Sequence, residues 1–144
     1  MADDLAYRIA LLSLRPKFVD ALLNGTKTVE FRKRPLASNV THVAIYATRP
    51  VARVVAVFSV RRQVIRSPRA LWRKFGTVAG GSSRAGFLAY YEGCDQGVGI
   101  EVDELFRLDE PLTLQEAFGI DRPPQSVQYF APQQAAPELI DVLG

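Results

Sequence analysis

Extended segments outnumber helical ones in this chain, and that balance limits the folds open to it. Tyr7 to Leu14 is an apolar run closed by Arg15-Pro16. His42 to Thr48 and Ala52 to Ile65 are rich in Val, Ile, Phe and Tyr, which suit a pleated surface. Gly25 to Arg32 alternates Val29 and Phe31, expected toward a core, with Thr28, Glu30 and Arg32 on the opposite face, Lys27 standing at the strand entrance. Gly97 to Leu108 alternates Val98, Ile100 and Val102 with small or acidic residues. Helices are predicted at residues 16 to 24, where Pro16 opens and Asn24-Gly25 closes the segment, at Ser67-Pro68 through Gly76, and at residues 84 to 91. Thr113 and Glu116 have capping-box spacing for a further turn or two ending at Phe118. Val78 to Ser83 reads as a flexible connection, and Arg122 to Phe130 as a proline-bound, aromatic segment that packs on the domain. One helix after the first strand and two between the fourth and fifth are too sparse for a wound parallel sheet. The expectation is an α+β fold, a mixed β-barrel of about five to six strands with short flanking helices, residues 1 to 144 forming a single domain.

The chain has no apolar run of membrane-spanning length, and its start, Met1-Ala2-Asp3-Asp4, is acidic, so the expected location is cytoplasmic, with no membrane partner. A single Cys94 excludes an intrachain disulfide, and with one His42 it cannot supply a structural zinc site, so no metal is expected. Neither a G-x-G-x-x-G nor a P-loop motif occurs, and no cofactor is expected.

Charge is distributed unevenly. Residues 1 to 84 hold sixteen of the eighteen basic and four of the fifteen acidic side chains, a net +12, which leaves −9 for the remainder. Either the halves interleave and neutralise each other, or the basic half faces an anionic partner such as nucleic acid. Arg61, Arg62, Arg66, Arg69, Arg73 and Lys74 form the densest basic run and allow the same two readings, a solvated face or a phosphate-tracking surface.

Lys27, Glu30 and Arg32 are the strongest candidates for chemistry. An ordinary ion pair on a strand would account for them; so would a ligand site, in which Lys27 holds a phosphate or acts as a base, Arg32 grips an oxyanion through two N–H groups and Glu30 accepts an amino proton from a base. Tyr46 is either half-buried core or a stacking and proton-donating group. Trp72, Phe75 and Phe87 read as core, and His42 as a surface residue.

Four segments in order, Ser13-Leu14-Arg15-Pro16, Gly25-x-Lys27-x-x-Glu30-x-Arg32, Ile45-Tyr46-Ala47-Thr48 and Pro123-Pro124-Gln125-Ser126, resemble an ASCH domain of the PUA-like superfamily across nearly the whole chain. The resemblance implies a PUA-like barrel with a cleft beside the first helix holding Lys27, Glu30 and Arg32, walled by the late segment so that Gln125 and Ser126 join the site. It also implies a role in binding RNA or a modified nucleobase. A bacterial branch of this superfamily hydrolyses acylated cytidines with a Lys and a Thr three positions later. Here that position is Glu30, and a carboxylate cannot replace a hydroxyl nucleophile without a change of mechanism.

The leading expectation is RNA or single-stranded nucleic acid recognition. Ser13, Arg15, Lys33, Arg34, Arg69, Arg73, Gln125 and Ser126 would act beside the Lys27, Glu30, Arg32 and Tyr46 cleft. The alternatives are a metal-independent ribonuclease with Lys27, Tyr46 and Ser126 as catalytic candidates, an amidohydrolase acting on a modified nucleoside, and a nucleoside-sensing regulator.

Overall fold

The structure, a computed structural model, describes residues 8 to 143. Tyr7, the expected start of the first strand, lies outside the described residues. Six strands, β1 (Ile9–Leu14), β2 (Val29–Arg32), β3 (His42–Ala47), β4 (Arg53–Arg66), β5 (Gly97–Leu112) and β6 (Val127–Phe130), form one curled sheet in the order β2-β5-β4-β3-β1-β6. β1 and β3 pair in parallel; the other neighbours are antiparallel. Parallel neighbours need a crossover, which α1 (Pro16–Leu23) begins and β2 and its following loop complete. β4 and β5 run 14 and 16 residues, and the register shifts along their ladder are the irregularities that let long paired strands bend.

Local chemistry starts each helix. Pro16 begins α1, and Ser67 accepts from the Ala70 amide ahead of α2 (Pro68–Phe75). Ser83 accepts from the Gly86 amide ahead of α3 (Arg84–Tyr90). The expected capping box of Thr113 and Glu116 is formed at α4 (Leu114–Phe118), which stops at Gly119 with φ 69°. The last helix, α5 (Pro137–Leu143), and strand β6 are additions to the sequence-based expectation. None of the described helices is long and apolar enough to cross a membrane.

Both faces of the sheet are covered. Ala10, Leu12, Leu14, Val43, Ile45, Phe58, Val98 and Ile100 pack with Val19 and Leu22 of α1. The opposite face of the central strands, with Ile9, Leu11, Ala44 and Tyr46, packs under α4 and α5. Val29 and Val64 lie with Leu71 and Phe75 of α2, Phe87 of α3 and Tyr91. Each fully buried Leu or Ile contributes about 1.5 to 3 kcal/mol. β1 therefore carries near-continuous burial, as its unbroken apolar run requires.

Candidate functional site

Lys27 is fixed by a turn and by a loop laid across it. Gly25 takes φ 84°, the Thr26 amide donates to Asn24 Oδ1 at 2.9 Å, and the Lys27 amide donates to the Ala21 carbonyl at 3.0 Å. The segment after α2, expected as a flexible connection, is clamped onto this turn. Lys27 and Ala79 form an isolated bridge, the Thr28 amide donates to Val78 at 3.0 Å, and the Gly80 amide donates to Thr26 at 3.2 Å. Gly80 has φ 80°, and a β-carbon there would stand 3.0 Å from the β-carbons of both Ala21 and Lys27. A glycine is required at position 80 for the approach, so Gly80 signals close contact as well as a positive φ.

From this turn β2 begins at Val29, four residues later than the Gly25 start of the expected segment. Glu30 and Arg32 stand in register with Ile100 and Val98, so they share the sheet face covered by α1, and the polar side of β2 is buried where openness was expected. Lys27 Nζ lies 3.3 Å from Glu30 Oε1, and Arg32 Nη1 lies 3.5 Å from Glu30 Oε2. The exposures of the three side chains rise from 4% at Lys27 and 6% at Glu30 to 17% at Arg32. The Lys27 ammonium also lies 5.4 Å from the Phe18 ring centre and 5.1 Å from that of Phe31, so aromatic faces complete its surroundings. Arg32 turns outward: its Nη2 donates to the Ser126 carbonyl at 3.0 Å, linking edge strand β2 to the segment that enters the opposite edge, β6. A second side-chain link closes the same seam, where the Ala37 amide donates to Tyr129 Oη at 3.0 Å.

The other expected residues divide into groups. Ser13 Oγ donates to the Pro124 carbonyl at 3.0 Å and so adjoins the 124 to 126 segment, while Tyr46, in register with Ser13, lies one strand further in on β3. Tyr46 is buried on the face packed by α4 and α5, and no hydrogen bond or ion pair among the described residues joins it to the charged trio. Arg15, Lys33, Arg34, Gln125 and Ser126 are exposed. Arg69 and Arg73 are exposed on α2, with no carboxylate in ion-pair reach among the described residues. Arg61 and Arg62 pair across β4 and β5 with Asp103 and Glu101, so this part of the basic half is neutralised by the acidic half. His42, expected at the surface, is buried on β3 with its Nδ1 2.8 Å from Thr41 Oγ1; burial, and then the nearby Arg8 charge, hold its imidazole below the usual value.

Two tyrosines of this region escaped the sequence reading as site residues. Tyr91 is buried; its Oη donates to the Arg32 carbonyl at 2.9 Å, and loss of water pushes the phenol far above its ordinary range. Its ring lies on Gly97, where a β-carbon would come within 2.6 Å of the ring carbon bearing the hydroxyl. Tyr90 is exposed beside it, with Lys33 Nζ 5.1 Å from its ring centre. Burial raises its phenol, and the charges of Arg32 and Glu30 also act on it.

Two hollows lie away from the trio. One, of 270 Å³, is lined by Pro16, Val19, Asp20 and Leu23 of α1 with Arg107 and Asp109, and the other, of 760 Å³, lies between the end of β5 and α5. The trio lines neither. Among the described residues no three His, Cys, Asp or Glu side chains gather as metal ligands would.

No family model matches the sequence. A Zymomonas mobilis protein named ASCH domain-containing ribonuclease is 32% identical over 132 residues, covering 87% of this chain and 86% of that protein. The chain belongs to the ASCH family. The crystal structure of ASCH from Zymomonas mobilis superposes on this ASCH protein with a TM-score of 0.81 at 29% identity, covering 94% of this chain and 95% of the other. A serine-to-alanine mutant of that protein gives 0.80 at 27% identity, covering 96% of each chain. A tyrosine-to-phenylalanine mutant gives 0.79 at 28% identity, covering 94% and 96%. The chain also matches 38% of the length of the large ribosomal subunit protein uL22 of Ureaplasma parvum, at 28% identity over 83% of this chain.

Proposed function

We propose that this ASCH protein binds single-stranded RNA at the seam between β2 and β6 and cleaves it there. The carrying observation is the Arg32 guanidinium, anchored on Glu30 and on the Ser126 carbonyl with 17% of its side chain still in solvent. Anchoring fixes the fork before a ligand arrives, and the remaining N–H groups suit a phosphate. Lys33 and Arg34, which follow it in the chain, and Arg15 are exposed cations able to hold neighbouring phosphates. Lys27, at 4% exposure, acts through Glu30 as a positioning residue. Gln125 and Ser126 are exposed at the seam, with Ser13 on the neighbouring strand β1.

The similarity to a protein named as a ribonuclease supports cleavage as well as binding. A serine and a tyrosine are the residue types substituted in its solved mutants, and they match the types of the hydroxyl candidates here, Ser126 and Tyr46. In this reading the Ser126 hydroxyl moves a proton while Arg32 offsets the charge that builds on the phosphate, and Tyr46, buried on the other face of the sheet, supports β1 and β3 from behind. Hydrolysis of acylated cytidine gains no support, since Glu30 commits both carboxylate oxygens to Lys27 and Arg32. The same reading places the protein in the cytoplasm, where a lone Cys94 stays reduced.

End-labelled single-stranded RNA incubated in EDTA tests this. Arg32→Ala is expected to slow cleavage by about 100-fold or more, as loss of one charge-stabilising donor does elsewhere. Equal trace cleavage by wild type and variant would point to a contaminating nuclease and remove the catalytic claim. Absence of salt-dependent binding would remove the RNA claim as well.

A further inference from the structure

Tyr90 is the aromatic member of the few large hydrophobic side chains exposed among the described residues; the others are the aliphatic Val51, Ile65 and Ile140. It is 44% exposed at the end of α3, yet it is rigidly backed. The Tyr91 ring meets it edge to face at 4.8 Å between centres, and Tyr91 is itself held by the Arg32 carbonyl and packed against Phe87 at 5.1 Å. The Lys33 ammonium lies over the ring, and Arg32 is near enough for its charge to act on the phenol. A flat apolar surface on a fixed mount, flanked by cations from the neighbouring strand end, matches the chemistry of a nucleotide, which needs a stacking face beside phosphate-binding groups.

We propose that Tyr90 is the base-stacking platform of the site, receiving one nucleobase on its exposed ring while Arg32 and Lys33 hold the adjoining phosphates. Lys33 then exchanges the ring face for a phosphate when RNA arrives. This rests on the RNA reading above and adds what that reading lacks, a contact to the base. Stacking is tolerant of base identity, so the site should accept all four bases with modest preference.

Fluorescence anisotropy with a labelled single-stranded octaribonucleotide, and with the same strand made abasic, tests the assignment on the full chain. Tyr90→Ala is expected to weaken binding of the normal strand by roughly 10-fold, without changing the salt slope, because the residue is uncharged. Tyr90→Phe, which keeps the ring, should restore most of the affinity, and wild type and Tyr90→Ala should bind the abasic strand alike. Unchanged melting of Tyr90→Ala confirms that the fold is intact. If Tyr90→Ala binds the normal strand as wild type does while Arg32→Ala loses it, the platform is refuted and the RNA reading stands. If wild type binds neither strand, both fall together.

Discussion

Arg61 meets Asp103 across β4 and β5 with 60% and 47% of the two side chains in water, whereas Lys27 meets Glu30 with 4% and 6%. The distances are equal at 3.3 Å, so the difference lies in the solvent. Water screens the outer pair, which contributes about 0 to 1 kcal/mol. The inner trio has lost most of its hydration, a cost of several kcal/mol per ion that mutual attraction roughly repays. Apolar side chains of similar volume would hold β2 at least as well, so cohesion alone does not account for the charges. On the reading proposed above, a guanidinium oriented before it meets RNA does.

The comparison breaks most visibly at Glu30. Glu30→Gln leaves Lys27 and Arg32 without a counter-charge in a dry site and should lower stability by about 3 to 5 kcal/mol. Thermal unfolding followed by circular dichroism would register this as a fall on the order of 10 °C. A fall no larger than that of an exposed pair would show that water reaches the trio freely.

Tyr91→Phe probes the support behind Arg32. Removing the hydroxyl that donates to the Arg32 carbonyl should cost about 1 kcal/mol in urea unfolding, with the denaturant slope unchanged. Arg61→Ala is the smallest effect and the sharpest control. It should cost about 0 to 1 kcal/mol at low salt and nothing measurable at 0.5 M salt by the ~Debye-length argument, while the Glu30→Gln loss persists. Reversal of that salt pattern would erase the distinction between the two sets.

The sequence announces these elements to different degrees. β1, β3 and β4 are legible because their apolar runs are long and bounded by Arg15-Pro16, Arg49-Pro50 and Ser67-Pro68. β5 continues past its expected end at Leu108 to Leu112, since pairing with Val54 extends it through Pro111. β6 is only four residues, and its extended form comes from pairing with β1 more than a hundred positions away, which no local pattern encodes. α5 has few turns and a mixed surface of Glu138, Ile140 and Asp141. At the site, the meeting of Lys27, Glu30 and Arg32 follows from strand and turn spacing, but their burial does not. It depends on α1 and the 78 to 80 segment closing over them. Tyr90 carries no local signal, because the helical pattern of residues 84 to 91 is silent about Lys33 approaching from another element.

The two edges of the sheet are joined through a guanidinium and a phenol, Arg32 of β2 to Ser126 just before β6 and Tyr129 of β6 to Ala37 in the loop after β2, with no shared backbone ladder between them. Cohesion and closure are thereby entrusted to different parts: the long central ladders keep the curled sheet standing, and two side chains latch its edges. A change at Arg32 or Tyr129 consequently removes a link across the seam while leaving the backbone ladders behind it paired.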